Sequence, residues 1–152
     1  MVGAFREPSC GRSTQPIHSI PYSVAQPLER GSNNYYSIIQ GEHPVAVRVV
    51  LDGLIVYQSS PQGTTAENGS WMDRKYATVL RSRASSLRIA VERELFGITE
   101  DWQRDEETHA FCGGAFPLIV NGEFCGAAIV SGLPHLEDHD LLVTVLKEDL
   151  NL

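Results

Sequence analysis

Residues 45–60 read VAVRVVLDGLIVYQSS, two runs rich in β-branched residues on either side of Asp52-Gly53. A type I′ turn needs a positive φ at both of its central residues, and Asp-Gly is one of the pairs that adopt it most readily. We therefore predict an antiparallel hairpin over this stretch. Its register predicts two facing pairs, Leu51 with Leu54 and Val49 with Val56.

A second stretch repeats this pattern at residues 115–132, AFPLIVNGEFCGAAIVSG, with Asn121-Gly122 as its turn. The same turn chemistry predicts a second antiparallel hairpin. Apolar residues occupy alternate and intervening positions in both hairpins, which predicts a sheet that is covered over much of its area. The register of this second hairpin predicts two facing pairs, Val120 with Glu123 and Leu118 with Cys125.

Between the hairpins, residues 71–94 carry the apolar spacing of a helix. Ser85-Ser86 predicts a break and a new helix start, because serine side chains accept hydrogen bonds from free N–H groups there. Gly97 is expected to end the second piece, and Pro134 to begin a last helix. The order of hairpin, helices, hairpin and helix predicts an α/β fold of the α+β type, with helices packed on a mainly antiparallel sheet.

The composition narrows the class of protein. The 152 residues are 42% hydrophobic and carry a net charge of −7, which argues against a nucleic-acid or membrane partner because both need a basic surface. No secretory leader, membrane span or C-x-x-C pair is evident. We expect a cytoplasmic protein with a flexible, Pro- and Ser-rich arm over residues 1–34 and one domain over residues 35–152.

Two histidines near the end of the chain raise the possibility of a metal site. His135 and His139 lie four residues apart in SGLPHLEDHDLL, residues 131–142, so a helix would place both on one face. Leu136 stands where the H-E-x-x-H motif has its catalytic glutamate, and no third ligand is evident. We predict no metal site here, because the helix dipole alone favours acidic residues in a first turn.

His139 also falls on the predicted apolar stripe of the last helix. A buried histidine either makes a structural hydrogen bond or faces a pocket as a ligand or general base, and both interpretations stay open. Asp138 precedes it and points about 100° away on a helix, so it could orient His139 only from a neighbouring subunit or in an unusual rotamer. The stripe comprises His139, Leu142, Val143, Leu146 and Leu150.

Glycines and one lysine supply further candidates. Gly113-Gly114 precede the second hairpin and Gly126 lies inside it, which indicates either a bulge or a close approach of a ligand or another chain. Pro117, expected opposite Gly126, indicates a distorted or edge position. Lys75 shares a helical stripe with apolar residues, which places its ammonium either at a pocket rim or on the surface.

Three strings together resemble a known family: NGSWMDRK at residues 68–75, ASSL at 84–87, and CGGAFPLIVNGEFCGAAIVSGLPHLEDH at 112–139. They are similar to uncharacterised protein family 0303, a branch of the haem-degrading-domain group that includes GlcG-like and HbpS-like proteins. The resemblance covers about Val45 to Leu150. The family motif maps onto Asn68, Trp71, Lys75, Ser85, Ser86, Gly113, Gly114, Phe116, Pro117, Ser131, Gly132, Leu133, Pro134, Asp138 and His139.

The resemblance implies a profilin-like fold and assembly into dimers or larger rings. The name of the group implies haem binding or breakdown, in which His139 would be an axial ligand and Lys75 would pair with a propionate. This chain departs from the family at Ala115, where a third glycine is usual, and in lacking a clear amphipathic helix before the first strand. The candidate ligand-binding residues are Lys75, Gly113, Gly114, Phe116, Ser131, Asp138 and His139.

Three hypotheses for function remain. The first is a cytoplasmic, homo-oligomeric binding or adaptor protein that uses its glycine-rich strand ends and the start of its last helix at subunit contacts. The second is a haem-binding or haem-degrading protein. The third is an acid–base enzyme or an oxidoreductase-like protein in which His139, the one catalytic candidate, moves a proton.

Overall fold

The four predicted strands form one antiparallel sheet, in which the order across the sheet is second, first, fourth and third strand of the chain. The structure is a computed structural model that describes residues 43–149, so the predicted arm over residues 1–34 lies outside the described residues. The α+β prediction is confirmed. The elements are β1 (Ala46–Leu51), β2 (Leu54–Ser59), α1 (Ala66–Ser82), α2 (Ser86–Phe96), a 3₁₀ turn (Asp101–Arg104), β3 (Ala115–Val120), β4 (Glu123–Ser131) and α3 (His135–Asp149).

Both hairpins close at the predicted turns. The φ angles are 49° and 78° at Asp52 and Gly53, and 53° and 83° at Asn121 and Gly122, so all four residues adopt the positive φ that a type I′ turn needs. Local turn chemistry therefore determines where both hairpins turn. The facing pairs next to the turns are confirmed as Leu51 with Leu54 and Val120 with Glu123.

The predicted pairs farther from the turns are wrong, because each hairpin contains a β-bulge. Val56 is the extra residue in β2 and Cys125 is the extra residue in β4. The observed facing pairs are Val49 with Tyr57, Leu118 with Gly126, and Pro117 with Ala127. Pro117 does lie on an edge strand, as predicted.

Two serine and threonine caps define the helices between the hairpins. Thr65 accepts a hydrogen bond from the N–H of Glu67 at 3.3 Å, so α1 begins at Ala66, five residues before the predicted start. The predicted break is confirmed, since the Ser85 side chain caps α2 by accepting the N–H of Arg88 at 3.3 Å. Gly97 ends α2, also as predicted.

The sheet lies between two helical layers. Alternate residues of a strand point to opposite faces, so Ile129 packs with the α1 residues Met72 and Val79, whereas Val130 packs with Leu142 of α3. Helix α1 therefore covers one face and α3 the other. This arrangement brings the end of β4 between the two helices.

The sheet is less covered than the sequence predicted. The side chains of Leu54, Ile55 and Val56, at the start of β2, are 67%, 50% and 46% exposed. The strand β1 beside them is mostly buried. The outer strand β2 therefore presents an apolar surface to solvent.

Candidate functional site

Lys75 and Asp138 form a buried ion pair that joins α1 to α3. The Lys75 Nζ atom lies 2.8 Å from Asp138 Oδ2, and the two side chains are only 3% and 2% exposed. The sequence placed the Lys75 ammonium at a pocket rim or on the surface, and the structure corrects this. The pair crosses from one helical layer to the other past the end of β4.

Backbone groups complete the hydrogen bonding of both charges. Lys75 Nζ also donates to the carbonyl oxygen of Val130 at 2.9 Å, and Asp138 Oδ1 accepts the N–H of Leu133 at 3.0 Å. A buried charge is tolerated only when it is paired and hydrogen-bonded, and both conditions hold here. The geometry indicates a structural role for this pair.

The glycine pair provides the space that this arrangement needs. Gly114 has a φ of 114°, and a Cβ atom there would lie 2.4 Å from Lys75 Nζ. A Cβ atom at Gly113 would lie 2.1 Å from the carbonyl oxygen of His135, so α3 packs directly against bare backbone. At these two glycines the close approach is made by Lys75 and α3 of the same chain.

His139 lies beside Phe116 and is half-buried. The centroids of the two rings are 6.2 Å apart, and the His139 Nδ1 atom is buried with no hydrogen-bond partner among the described residues. Burial lowers the pKa of His139, and the nearby Asp140 carboxylate opposes this shift. The imidazole is therefore neutral at neutral pH. The Asp138 carboxylate binds Lys75 and Leu133, so these contacts do not orient His139.

Cys112 and His135 border the same site. The N–H of Gly113 points to His135 Nδ1 at 3.5 Å. Burial raises the pKa of the Cys112 thiol, although the Lys75 ammonium opposes the shift, so the thiol stays protonated at neutral pH. Over residues 43–149, no three His, Cys, Asp or Glu side chains are grouped so that they could hold a metal ion.

Two other motif residues hold strands to helices. The Asn68 side chain donates to the Ser131 carbonyl oxygen at 3.2 Å, which ties the start of α1 to the end of β4. The Ser86 hydroxyl accepts the N–H of Ala115 at 3.1 Å, which ties the start of α2 to β3. These contacts are structural, and each uses a side chain that the family motif contains.

All seven candidate site residues come together where β3 begins, β4 ends and α3 starts. The sequence did not predict which of them bind one another. It also missed the Val130 carbonyl and the Leu133 N–H, because backbone groups carry no residue-type signal. Within this described set, the side chains of His139 and Phe116 are partly accessible to solvent. Neither of them forms an ion pair.

Comparison with known proteins places the chain in a defined family. The family described as haem-degrading protein HbpS-like matches residues 35–147, and the chain belongs to that family. None of the helices within residues 43–149 is long and apolar enough to span a membrane.

The relatives include proteins of family UPF0303. A UPF0303 protein of Streptomyces avermitilis is 37% identical over 108 residues, which are 69% of this chain and 66% of the relative. A UPF0303 protein of Rhizobium rhizogenes is 40% identical over 104 residues, 67% of this chain and 64% of the relative. The matched segment thus spans slightly less than two thirds of these relatives.

Solved structures share the fold at low sequence identity. The Ybr137w protein is 24% identical with a TM-score of 0.65, over 86% of this chain and 74% of that chain. A PduOC:haem complex is 16% identical with a TM-score of 0.61, over 74% and 82% of the two chains. HbpS is 18% identical with a TM-score of 0.58, over 97% of this chain and 99% of that chain.

Proposed function

We propose that this chain is a cytoplasmic binding or adaptor protein that assembles with copies of itself. One observation carries the proposal: eleven large apolar side chains are exposed on the described surface, and some of them are neighbours in sequence, on β2, at the end of α2 and at the end of β3. Contiguous exposed apolar surface is typical of interaction sites. The residues, each at least 40% exposed, are Leu54, Ile55, Val56, Leu80, Val91, Leu95, Phe96, Ile98, Ile119, Val120 and Leu136.

The charged groups of the site support binding over acid–base catalysis. The charges of Lys75 and Asp138 are paired with each other. In the contacts described above, no carboxylate orients His139. A general base needs a proton within hydrogen-bond reach and a matched pKa, and these residues offer His139 alone. The site residues therefore support a binding role better than a catalytic one.

Light scattering of the full chain tests the assembly. We expect a mass of at least twice the 16.7 kDa of one chain at micromolar concentration. Apolar contacts survive added salt, and salt also screens the repulsion between chains of charge −7, so the mass should persist in molar sodium chloride. A mass of one chain at every concentration and salt level would rule the proposal out.

Haem binding is the second candidate function, and the state of His139 favours it. A neutral imidazole offers a lone pair to iron, and the half-buried ring lies against Phe116, an apolar neighbour that suits a porphyrin. The PduOC:haem complex shares this fold and adds support by analogy. Lys75 does not fit the propionate role, because its ammonium is buried on Asp138.

Absorbance during a haem titration tests this second function. We expect the Soret band to shift with the wild-type chain and this shift to be lost in His139→Ala. His135→Ala is the matched control, because it removes the other imidazole that borders the site; ligation by His139 predicts that this variant keeps the shift. No shift with the wild type, or a shift that His139→Ala retains, would argue against haem ligation by this residue.

A further inference from the structure

The two outer strands of the sheet differ in their protection against pairing with another strand. An edge strand has unpaired backbone N–H and C=O groups, and proteins protect such edges with proline or charged side chains. Strand β3 contains Pro117. Strand β2, with sequence LIVYQS, contains neither proline nor a charged residue.

The charge pattern marks β2 as a place where two copies can meet. The chain carries −7, so two copies repel each other on average at low salt. Residues 53–66, GLIVYQSSPQGTTA, contain no charged residue and include all of β2. Two copies that meet along this strand bring no like charges directly together.

Three of the exposed apolar side chains lie at the same edge. Leu54, Ile55 and Val56 follow one another along β2, and each is about half exposed or more. Strand pairing with a second copy would cover these side chains and satisfy the outward backbone groups at the same time. An antiparallel pair of identical strands is self-complementary, which suits a two-fold interface.

We propose that β2 pairs in the antiparallel direction with β2 of a second copy, so that two four-stranded sheets become one. This inference rests on the proposed self-assembly and names its surface. Strand β3 then forms both outer edges, where Pro117 limits further pairing. The bulge at Val56 is the one protective feature of β2: it increases the local twist and limits how far a second strand can pair.

A test that introduces charge compares the two edges. The variant Leu54→Lys/Val56→Lys adds two lysines to β2 of each copy, so pairing would bring four like charges into the proposed interface. We expect its light-scattering mass to fall to half the wild-type value or less. The control Ile119→Lys/Val120→Lys alters two apolar residues of β3 that are 56% and 45% exposed, and it should keep the wild-type mass. Circular dichroism checks that both variants fold.

The other possible results distinguish failure of the β2 pairing from failure of self-assembly. An oligomeric wild type whose mass survives in the β2 variant overturns the β2 pairing and leaves self-assembly standing, whereas a monomeric wild type overturns both. An equal loss of mass in both variants also overturns the assignment to β2. Hydrogen exchange adds a second readout: we expect slow β2 amides in the wild type and fast ones in the β2 variant. If the β2 amides exchange slowly in a monomer, another part of the same chain pairs with this edge.

Discussion

Lys75→Met is expected to lower the free energy of unfolding by about 3–5 kcal/mol, because it leaves the Asp138 carboxylate buried without a counter-charge. Asp138 is only 2% exposed, so water cannot replace the lost ammonium without local opening. The Val130 carbonyl oxygen also loses the hydrogen bond from Lys75 Nζ. Urea denaturation followed by circular dichroism measures the change.

Lys147→Met is the matched control for this prediction. Lys147 is the other lysine of the chain, and it lies exposed in the last turn of α3. Its removal should change the free energy of unfolding by no more than about 0.5 kcal/mol. If Lys75→Met costs as little as the control does, the ion pair does not stabilise the fold.

Gly126→Ala is expected to cost at least about 3 kcal/mol, because it combines backbone strain with overpacking at the centre of the sheet. Gly126 has a φ of 157°, and a Cβ atom there would lie 1.9 Å from the carbonyl oxygen of Val50. The clash falls where β1 pairs with β4 and joins the two hairpins. Urea denaturation measures the loss, and low soluble yield should accompany it.

Gly69→Ala controls for the general effect of replacing a glycine. Gly69 lies within α1, and a Cβ atom there would meet nothing within 4 Å. Alanine is favoured over glycine in a helix by about 0.5–1 kcal/mol, so this variant should be more stable than the wild type. A Gly126→Ala protein with wild-type stability would show that the close approach of β1 and β4 is not restrictive.

The hairpins were predictable because their turns depend on neighbouring residues. Asp52-Gly53 and Asn121-Gly122 set the chain reversals wherever the ribbons lie in the fold. The bulges were not predictable from those turns; the one at Cys125 lies beside Gly126, whose backbone contacts Val50 of the other hairpin. Local chemistry thus predicted the elements, and long-range packing decided their register.

The sequence predicted which residues form the candidate site, but not which of them contact one another. The family resemblance marked Lys75 and Asp138, which are 63 residues apart in the chain, without indicating that they bind each other. A lysine on an apolar helical stripe usually extends to the surface, which is why burial was not expected. Gly114 is the residue that makes burial possible, and its role becomes clear only once α1 and α3 are placed.

The exposed strand β2 was also missed. Its run LIV predicts a covered strand, because three apolar residues in a row are typical of a strand buried on both faces. The order β2-β1-β4-β3 instead places this run at the edge. Strand order depends on how the hairpins meet, and a hairpin pattern alone does not specify it.

A double-mutant cycle on Lys75 and Asp138 tests most directly whether these residues, marked by sequence as ligand-binding, hold the fold together. The cycle compares the free energies of unfolding of the wild type, Lys75→Met, Asp138→Leu and the double variant. We predict a coupling of at least about 2 kcal/mol, with the double variant more stable than either single variant. A coupling near zero, with losses that simply add, would contradict the account.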